Sequence, residues 1–427
     1  MGKEQLPMKT DNLRSFAVIG GGASGLAAAI FAAREAERMN KKIAVTVFEL
    51  NSRVGKKILV SGNGRCNFTN TDLSEEHYHG SVLLPKKCIE KFDNNDICRF
   101  FEEFGLLSRT DFAGRVYPLS NQATSVLDVL RTAADVYNIN IKTDCRVDSI
   151  KKHGDIFIIN STEKFDAVIM ACGGKASAVH GSDGAGFPLL KALGVSVTPL
   201  YPALTALNIN DFTKSLKGIR AEGEITIKQC GRIIAKSCGE IQYTDYGLSG
   251  IPAMQVSGET ARALSEKDPV FAFVDSAPTV DADTLKNIIT SSIKNFPSEP
   301  NEMLLSGIMP KRLGMYLLSE LSFKPEKSVK SINPSAVDNI VTAIKKKKYR
   351  VSFVRGFADA QVTAGGVPEN EINPDTMELK KIKNMFVCGE AVDVDGECGG
   401  YNLQWAWSSA YVAALSAVKE LTDASNK

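Results

Sequence analysis

A glycine turn set between an apolar run and an alanine-rich run leaves this chain few folds. Residues 16–19, FAVI, read as a short buried strand, and Gly20-Gly21-Gly22-Ala23-Ser24-Gly25 follows as G-x-G-x-x-G. The run 26–36 then has helical spacing. Strand, glycine turn and helix are the order an adenine dinucleotide needs. Gly20 permits the tight turn. Gly22 leaves room for backbone amides to approach a diphosphate, and Gly25 lets helix and strand pack closely. The diphosphate then meets free N–H groups and the positive end of the helix dipole. A lone glycine turn of this kind is weak evidence. Here a second strand, 43–48, ends in Glu49, placed to accept from both ribose hydroxyls.

With 427 residues the chain is too long for one ordinary core. The changing pattern along it suggests a division. Residues 1–194 alternate strands and helices, and 351–427 return to the same strand–glycine–helix order. Between them, 195–279 carry short β-rich segments and 280–350 carry helical spacing. The expected architecture is α/β: a discontinuous dinucleotide domain, 1–194 plus 351–427, with an inserted β-barrel or sandwich and a helical subdomain.

Net charge is +2, which makes no electrostatic case for nucleic acid or for a membrane surface. The basic cluster Lys345–Lys348 with Arg350 reads as a solvated face. No apolar run is long enough to span a membrane, and the polar N-terminal stretch lacks a signal-peptide core. Nine cysteines without C-x-x-C spacing suggest neither a disulfide framework nor a metal site. They suggest free thiols in a reducing cytoplasm.

Three glycine-rich sites, near residues 20, 173 and 399, lie in the discontinuous domain. One turn suffices for a nicotinamide dinucleotide, whereas three suit a longer cofactor gripped along its length, namely a flavin dinucleotide. After Glu49 comes a Gly/Asn-rich basic loop in which Lys57 and Arg65 are placed to offset phosphate or flavin charge. Asp393 follows the apolar run 386–389 and is placed for a ribityl hydroxyl. The helix from Tyr401 is expected to aim its first amides at the pyrimidine edge of an isoalloxazine.

The stretches VIGGGASGLAAA, GKKILVSGNGRCNFTN, GRVYPLSNQATSV, MACGG, GEIQYTDYGLSG, VTAGGV and FVCGEAVDVDGECGGYNLQWA resemble the HI0933-like FAD-dependent flavoproteins. That family includes aminoacetone oxidase and BaiN-type bile-acid 4,6-reductases, within the glutathione-reductase-like two-dinucleotide-binding superfamily. The resemblance runs from about Phe16 to the C-terminus and implies a Rossmann-like FAD domain and a redox activity. It implies FAD contacts at Gly20, Gly22, Ala23, Ser24, Gly25, Glu49, Lys57, Gly64, Arg65, Val147 (backbone, near adenine), Gly173, Asp393, Gly400, Asn402 and Leu403. One departure stands out. Relatives carry Thr-His before Gly-x-Ser-Gly, where this chain has Thr244-Asp245, so a histidine acid/base does not carry over. Gly250-Ile251-Pro252 also replaces the commoner Gly-Pro.

Flavin hydride chemistry needs a substrate on the ring and a proton donor nearby. Weak catalytic candidates are Cys66, Thr363, Asp245 and Cys398, with Tyr243 and Tyr246 in the insertion placed to face a substrate. His77, His79, His153 and His180 fall in no matching motif and read as surface or core. No second complete nucleotide domain is present, so NAD(P)H is expected only as a transient co-substrate. The leading expectation is an NAD(P)H-driven reductase of an activated C=C bond in a small molecule. Two alternatives stay open: a flavin oxidase of an amine or aminoketone using O₂, and a non-enzymatic FAD-bound redox sensor. The oligomeric state is not legible.

Overall fold

A computed structural model describes residues 14–210 and 212–423. Most of the polar N-terminal stretch, residues 1–13, lies outside the described residues. The chain forms two compact units. One runs to Leu200 and resumes at Val362; the other is Tyr201–Gln361.

The first unit is built on a five-stranded parallel sheet. Its strands are β1 (Arg14–Ile19), β2 (Ile43–Phe48), β3 (Asn140–Lys142), β4 (Ala167–Met170) and β5 (Met385–Val387). Their order is β5-β4-β1-β2-β3, and every pairing is parallel. β1 and β4 are apolar almost throughout because helices cover the sheet, as buried parallel strands require. Helix α1 (Ala23–Arg38) follows the first glycine turn and packs against α2 (Tyr401–Asp423), the last helix. Phe31 of α1 meets Tyr411 of α2 edge-on at 5.4 Å. From β1 the chain builds outward through β2 to β3, then crosses to the other side for β4 and β5. The edge beyond the carboxyl ends of β1 and β4 is therefore a topological switch point, where open parallel sheets bind ligands.

The second unit is a closed six-stranded barrel: Leu207–Ile209, Gly247–Ser249, Arg232–Tyr243, Arg220–Gln229, Val270–Asp275 and Lys347–Val354, in that order around it. Helices Ala282–Asn295, Lys311–Glu320 and Val337–Lys345 share its core, where Leu285, Leu313 and Ile340 join Ile225, Ile227 and Val274. Composition suggested a β-rich part and a separate helical subdomain. The structure has one unit, because the apolar faces of the helices have no other core to enter. Its borders also fall later than 194 and 351. Strand Lys347–Val354, which the expected border between 350 and 351 cuts, closes the barrel against Val270–Asp275 and Leu207–Ile209.

The segment 145–149 is irregular, and a strand begins only at Ile150. Among the described residues, no helix is long and apolar enough to cross a membrane.

Candidate functional site

Four chain segments reach the same edge of the parallel sheet. They are the turn after β1, the acid after β2, the small residues after β4 and the turn after β5. Gly20 N–H donates to the Phe48 carbonyl at 2.8 Å, tying the first turn to the end of β2. Gly20 has φ +105°, and a Cβ there would stand 2.4 Å from the Ala171 carbonyl oxygen. At Gly25 a Cβ would stand 1.8 Å from the Gly20 carbonyl oxygen. Both glycines are thus demanded by packing. Gly22 differs: its φ is −80° and a Cβ there meets nothing within 4 Å. Gly22 is also the N-cap of α1, with no side chain capping the helix and no acid in its first turn. Ala23 is half-buried and Ser24 is buried.

Glu49 is 8% exposed and works within the protein. Its Oε2 accepts Gly21 N–H at 2.9 Å; its Oε1 accepts Asn51 N–H at 2.8 Å and Asn51 Nδ2 at 2.6 Å. The sequence offered this carboxylate for two ribose hydroxyls. Three of its roughly four acceptor positions are already engaged. Cys145 N–H donates to the Glu49 carbonyl at 2.9 Å, bringing residues 145–149 alongside. Asn160 splints that segment around Val147, accepting from Asp148 N at 2.9 Å and donating to the Arg146 carbonyl at 2.7 Å.

The basic loop is a short helix, Lys56–Val60, followed by a tight turn with positive φ at Gly62, Asn63, Gly64 and Cys66. Gly64, at φ +79°, has nothing closer to a Cβ than the Leu59 carbonyl oxygen at 3.9 Å, so it too fronts open space. The Arg65 guanidinium lies 5.2 Å from the centre of the buried Tyr117 ring, and Arg109 lies 5.0 Å from the same ring. Lys57 is not aimed at a phosphate alone. It pairs with Glu390 at 2.7 Å.

That carboxylate also explains Thr363 and Gly174. Glu390 Oε1 accepts Thr363 N–H at 2.9 Å. Thr363 Oγ1 in turn accepts Lys175 N–H at 2.8 Å and Ala176 N–H at 3.0 Å. A Cβ on Gly174 would lie 2.4 Å from Thr363 Oγ1. Thr363 is wholly buried and acts as a clamp, which corrects its reading as a catalytic candidate. Gly173 has φ +70° and lies against Ser182. Asp393 Oδ2 accepts the Thr198 hydroxyl at 3.0 Å.

The last glycine turn is held by residues far away in sequence. Gly400 has φ +104°, and its missing Cβ admits the Thr69 carbonyl, 2.4 Å from where a Cβ would sit. Asn70 Nδ2 donates to the Gly399 carbonyl at 2.9 Å. The Asn402 amide is spent on Gly396, accepting its N–H at 2.8 Å and donating to its carbonyl at 2.7 Å. Leu403 stays half-buried. Trp405 and Trp407, which sequence reasoning passed over, are buried and donate to the carbonyls of Gly389 and Phe68 at 3.0 and 2.9 Å. Helix α2 thereby fastens the β5 turn and the basic loop together.

Of the remaining catalytic candidates, Cys66 and Cys398 have enclosed thiols and Asp245 lies in the second unit. Burial pushes the Cys66 thiol up to about 12, with a Ser61 hydrogen bond opposing. Cys398 keeps partial residue exposure, but its enclosed thiol is likewise pushed up to about 12 by burial. Asp245 belongs to the second unit, where its exposed carboxylate pairs with Lys217 at 2.8 Å. Tyr243 is 2% exposed within the barrel core rather than facing a substrate. Among the described residues no cluster of His, Cys, Asp and Glu is built to hold a metal.

A dinucleotide fits these residues on two observations. The uncapped N-terminus of α1 lies beside a glycine whose Cβ position is empty, a ready cradle for a diphosphate. The loop after Glu49 offers a second empty glycine position at Gly64, beside the Arg65 cation.

Residues 14–416 match the HI0933-like protein Rossmann domain. A 3-dehydro-bile acid delta(4,6)-reductase of Clostridium scindens is 35% identical over 408 residues, covering 94% of this chain and 98% of that protein. A ribosomal RNA dihydrouridine synthase of Haemophilus influenzae is 28% identical over 415 residues, covering 93% of this chain and 97% of that protein. Among solved structures, a 3-ketosteroid delta1-dehydrogenase from Sterolibacterium denitrificans superposes with a TM-score of 0.50 at 12% identity, over 95% of this chain and 100% of that one. At such identity the likeness concerns the fold alone.

Proposed function

The chain belongs to the HI0933-like family of FAD-dependent oxidoreductases, and on that premise we propose that it reduces a carbon–carbon double bond conjugated to a carbonyl, with NAD(P)H as electron donor. One observation carries the reading. The two named relatives, each aligned along more than nine-tenths of this chain, act on different molecules but on one kind of bond. A delta(4,6)-reductase saturates an enone, and dihydrouridine differs from uridine by two hydrogens across a double bond conjugated to a carbonyl. In the reaction proposed for this chain, hydride goes to the β-carbon and a proton to the α-carbon, while NAD(P)H gives up hydride and becomes NAD(P)⁺.

The chemistry that bound FAD supplies is acceptance of an electron pair from one partner and its delivery to another. The chain's own residues hold and orient it. Gly20, Gly22, Ala23, Ser24 and Gly25 present the α1 N-terminus to the diphosphate. Glu49 fixes that turn and uses its last acceptor position for ribose, with the Val147 backbone alongside. Gly64, Arg65 and Gly173, with Lys57 held by Glu390, would line the middle of the cofactor, and Asp393 would take the ribityl chain. Gly400, Asn402 and Leu403 would bring the first amides of α2 to the reacting end of the cofactor, where the positive end of the helix dipole would favour negative charge.

Anaerobic mixing with NADH or NADPH tests this. Rapid bleaching of the flavin band, then reoxidation by a conjugated enone faster than by O₂, is the expected result. Reduction only by an amine, with fast reoxidation by O₂, overturns it in favour of the oxidase. The redox-sensor alternative is disfavoured by the protonated, enclosed thiols of Cys66 and Cys398.

A uracil in RNA is a second reading of the substrate, favoured by one surface of the barrel. The end of helix Val337–Lys345 and the alternation of strand Lys347–Val354 split the basic run. Lys345 pairs with Asp275 at 2.6 Å and Lys347 with Glu320 at 2.7 Å, while Lys348 and Arg350 stay exposed. Lys348 lies 3.9 Å from the centre of the Phe271 ring, and Lys228 lies 5.1 Å from that of Phe273. Cations interleaved with aromatic rings on a barrel suit a single strand. Tight, salt-dependent RNA binding that is lost in K348E/R350E supports this reading; no binding in low salt removes it.

A further inference from the structure

His77 was assigned no role by its sequence context, yet both of its ring nitrogens are engaged at the last glycine turn. Nδ1 lies 2.8 Å from Glu397 Oε2 and Nε2 lies 3.2 Å from Asp72 Oδ2. Its ring stacks on Tyr401, the first residue of α2, at 4.3 Å between centroids and 23° between planes. Its backbone carbonyl accepts Glu397 N–H at 2.9 Å. Beside it, strand Tyr78–Gly80 pairs antiparallel with Val394–Gly396. The Tyr78 ring meets Tyr401 edge-on at 5.9 Å.

A neutral imidazole has one N–H and one lone pair, so it satisfies only one of two carboxylates and turns a lone pair toward the other. Only the imidazolium donates to both. We propose that His77 is the positioning residue of the last glycine turn. As a cation bridging Asp72 and Glu397 and stacked on Tyr401, it latches residues 396–401 onto the segment 69–80 and so sets the affinity of the site for FAD. This inference rests on the reading above that the turn borders the cofactor.

The groups facing His77 are Asp72 on its own segment, Glu397 on the glycine turn, the Tyr401 phenol on α2, and the neighbouring Tyr78. Burial pulls the imidazole pKa down, but hydrogen bonds and charge from Glu397 and Asp72 outweigh it, so the net direction is up. The sign follows. A group whose pKa is raised in the latched fold contributes to that fold fully below its ordinary value, about 6.5, and its contribution is lost as pH rises through the raised value. FAD affinity therefore falls on going alkaline, by about tenfold for the loss of one charge-assisted hydrogen bond.

The test uses full-length apoprotein titrated with FAD between pH 5 and pH 9, followed by flavin fluorescence, with ¹⁵N-histidine NMR in parallel. Expected are a downward affinity step in the wild type, His77 doubly protonated at neutral pH, and no step in His77→Arg, whose guanidinium stays charged and stacks on Tyr401. His77→Phe, which keeps the stack but not the donors, is expected to bind FAD about tenfold more weakly at low pH. A wild-type affinity flat with pH, the same step in His77→Arg, or a neutral His77 at pH 6 overturns the proposal. The NMR arm reads the latch without cofactor. Failure to bind FAD at any pH therefore counts against the cofactor reading, and a neutral ring counts against the latch.

Discussion

Glu49 Oε2 stands 2.9 Å from the backbone nitrogen of Gly21 and accepts its hydrogen bond, so the acid after β2 braces the glycine turn from within. Its other oxygen does the same for Asn51. Glu49→Ala leaves two backbone N–H groups without their acceptor, at about 1–3 kcal/mol each when buried. The variant is expected to melt several degrees lower as apoprotein and to retain FAD poorly. A thermal melt of the apoprotein separates the two effects. An unchanged melt with weakened FAD retention would mean that the carboxylate serves ribose alone.

Gly22 and Gly25 belong to one motif but answer to different demands. A Cβ at Gly25 collides with the Gly20 carbonyl oxygen at 1.8 Å, whereas one at Gly22 meets nothing within 4 Å. Gly22→Ala is expected to cost the apoprotein up to about 1 kcal/mol, the N-cap difference between glycine and alanine, while lowering FAD affinity by tenfold or more. Gly25→Ala is expected to destabilise the apoprotein itself by about 1–3 kcal/mol, as overpacking does. Equal loss of apoprotein stability in both variants would remove the argument that Gly22 is kept free for a ligand.

The glycine turn, its flanking strand and helix, and Glu49 were legible because their signal is local: periodicity over a dozen residues and glycines at fixed offsets. The return of the chain to the same sheet at β5 was legible for the same reason. Long-range partners were not. Nothing near Lys57 in sequence announces Glu390, and nothing near Thr69 announces Gln404, whose Oε1 it meets at 2.6 Å. The second unit misled because hydrophobic period changes from two to about 3.6 along it, while the shared core of Ile225, Leu285 and Ile340 appears only once the chain has folded. The partner of the Asn402 side chain, Gly396, was not visible in the sequence as such.

The cysteines yield a prediction about reactivity. The thiolate is the nucleophile, and burial raises Cys66 and Cys398 to about 12, as it does Cys88 and Cys172. Folded protein at pH 8 is therefore expected to be alkylated by iodoacetamide first at Cys230 and Cys238, which are exposed. Cys66 and Cys398 are expected to react only on unfolding. Timed alkylation with peptide mass mapping reads this directly. Fast native labelling of Cys66 or Cys398 would revive a redox role for these thiols.

Lys57 and Glu390 decide what the basic loop is for. Their ion pair, at 2.7 Å with side chains 28% and 19% exposed, joins the Lys56–Val60 helix to the turn after β5, and the free oxygen of Glu390 reaches Thr363 N. Exposed pairs contribute about 0–1 kcal/mol, and this one, partly sheltered and tied to a backbone amide, is expected near the top of that range. A thermal double-mutant cycle with Lys57→Met and Glu390→Gln is expected to give a coupling of about 1 kcal/mol in the apoprotein. Each single variant leaves a half-buried group without its ion-pair partner, so the double variant should lose less stability than the two single losses added together. If the Lys57 charge is already matched by Glu390, Lys57→Met lowers FAD affinity by only a few-fold and leaves its salt dependence nearly unchanged. An unmoved melting temperature with a hundredfold loss of FAD affinity would instead assign Lys57 to the cofactor's phosphates, as its sequence position first suggested.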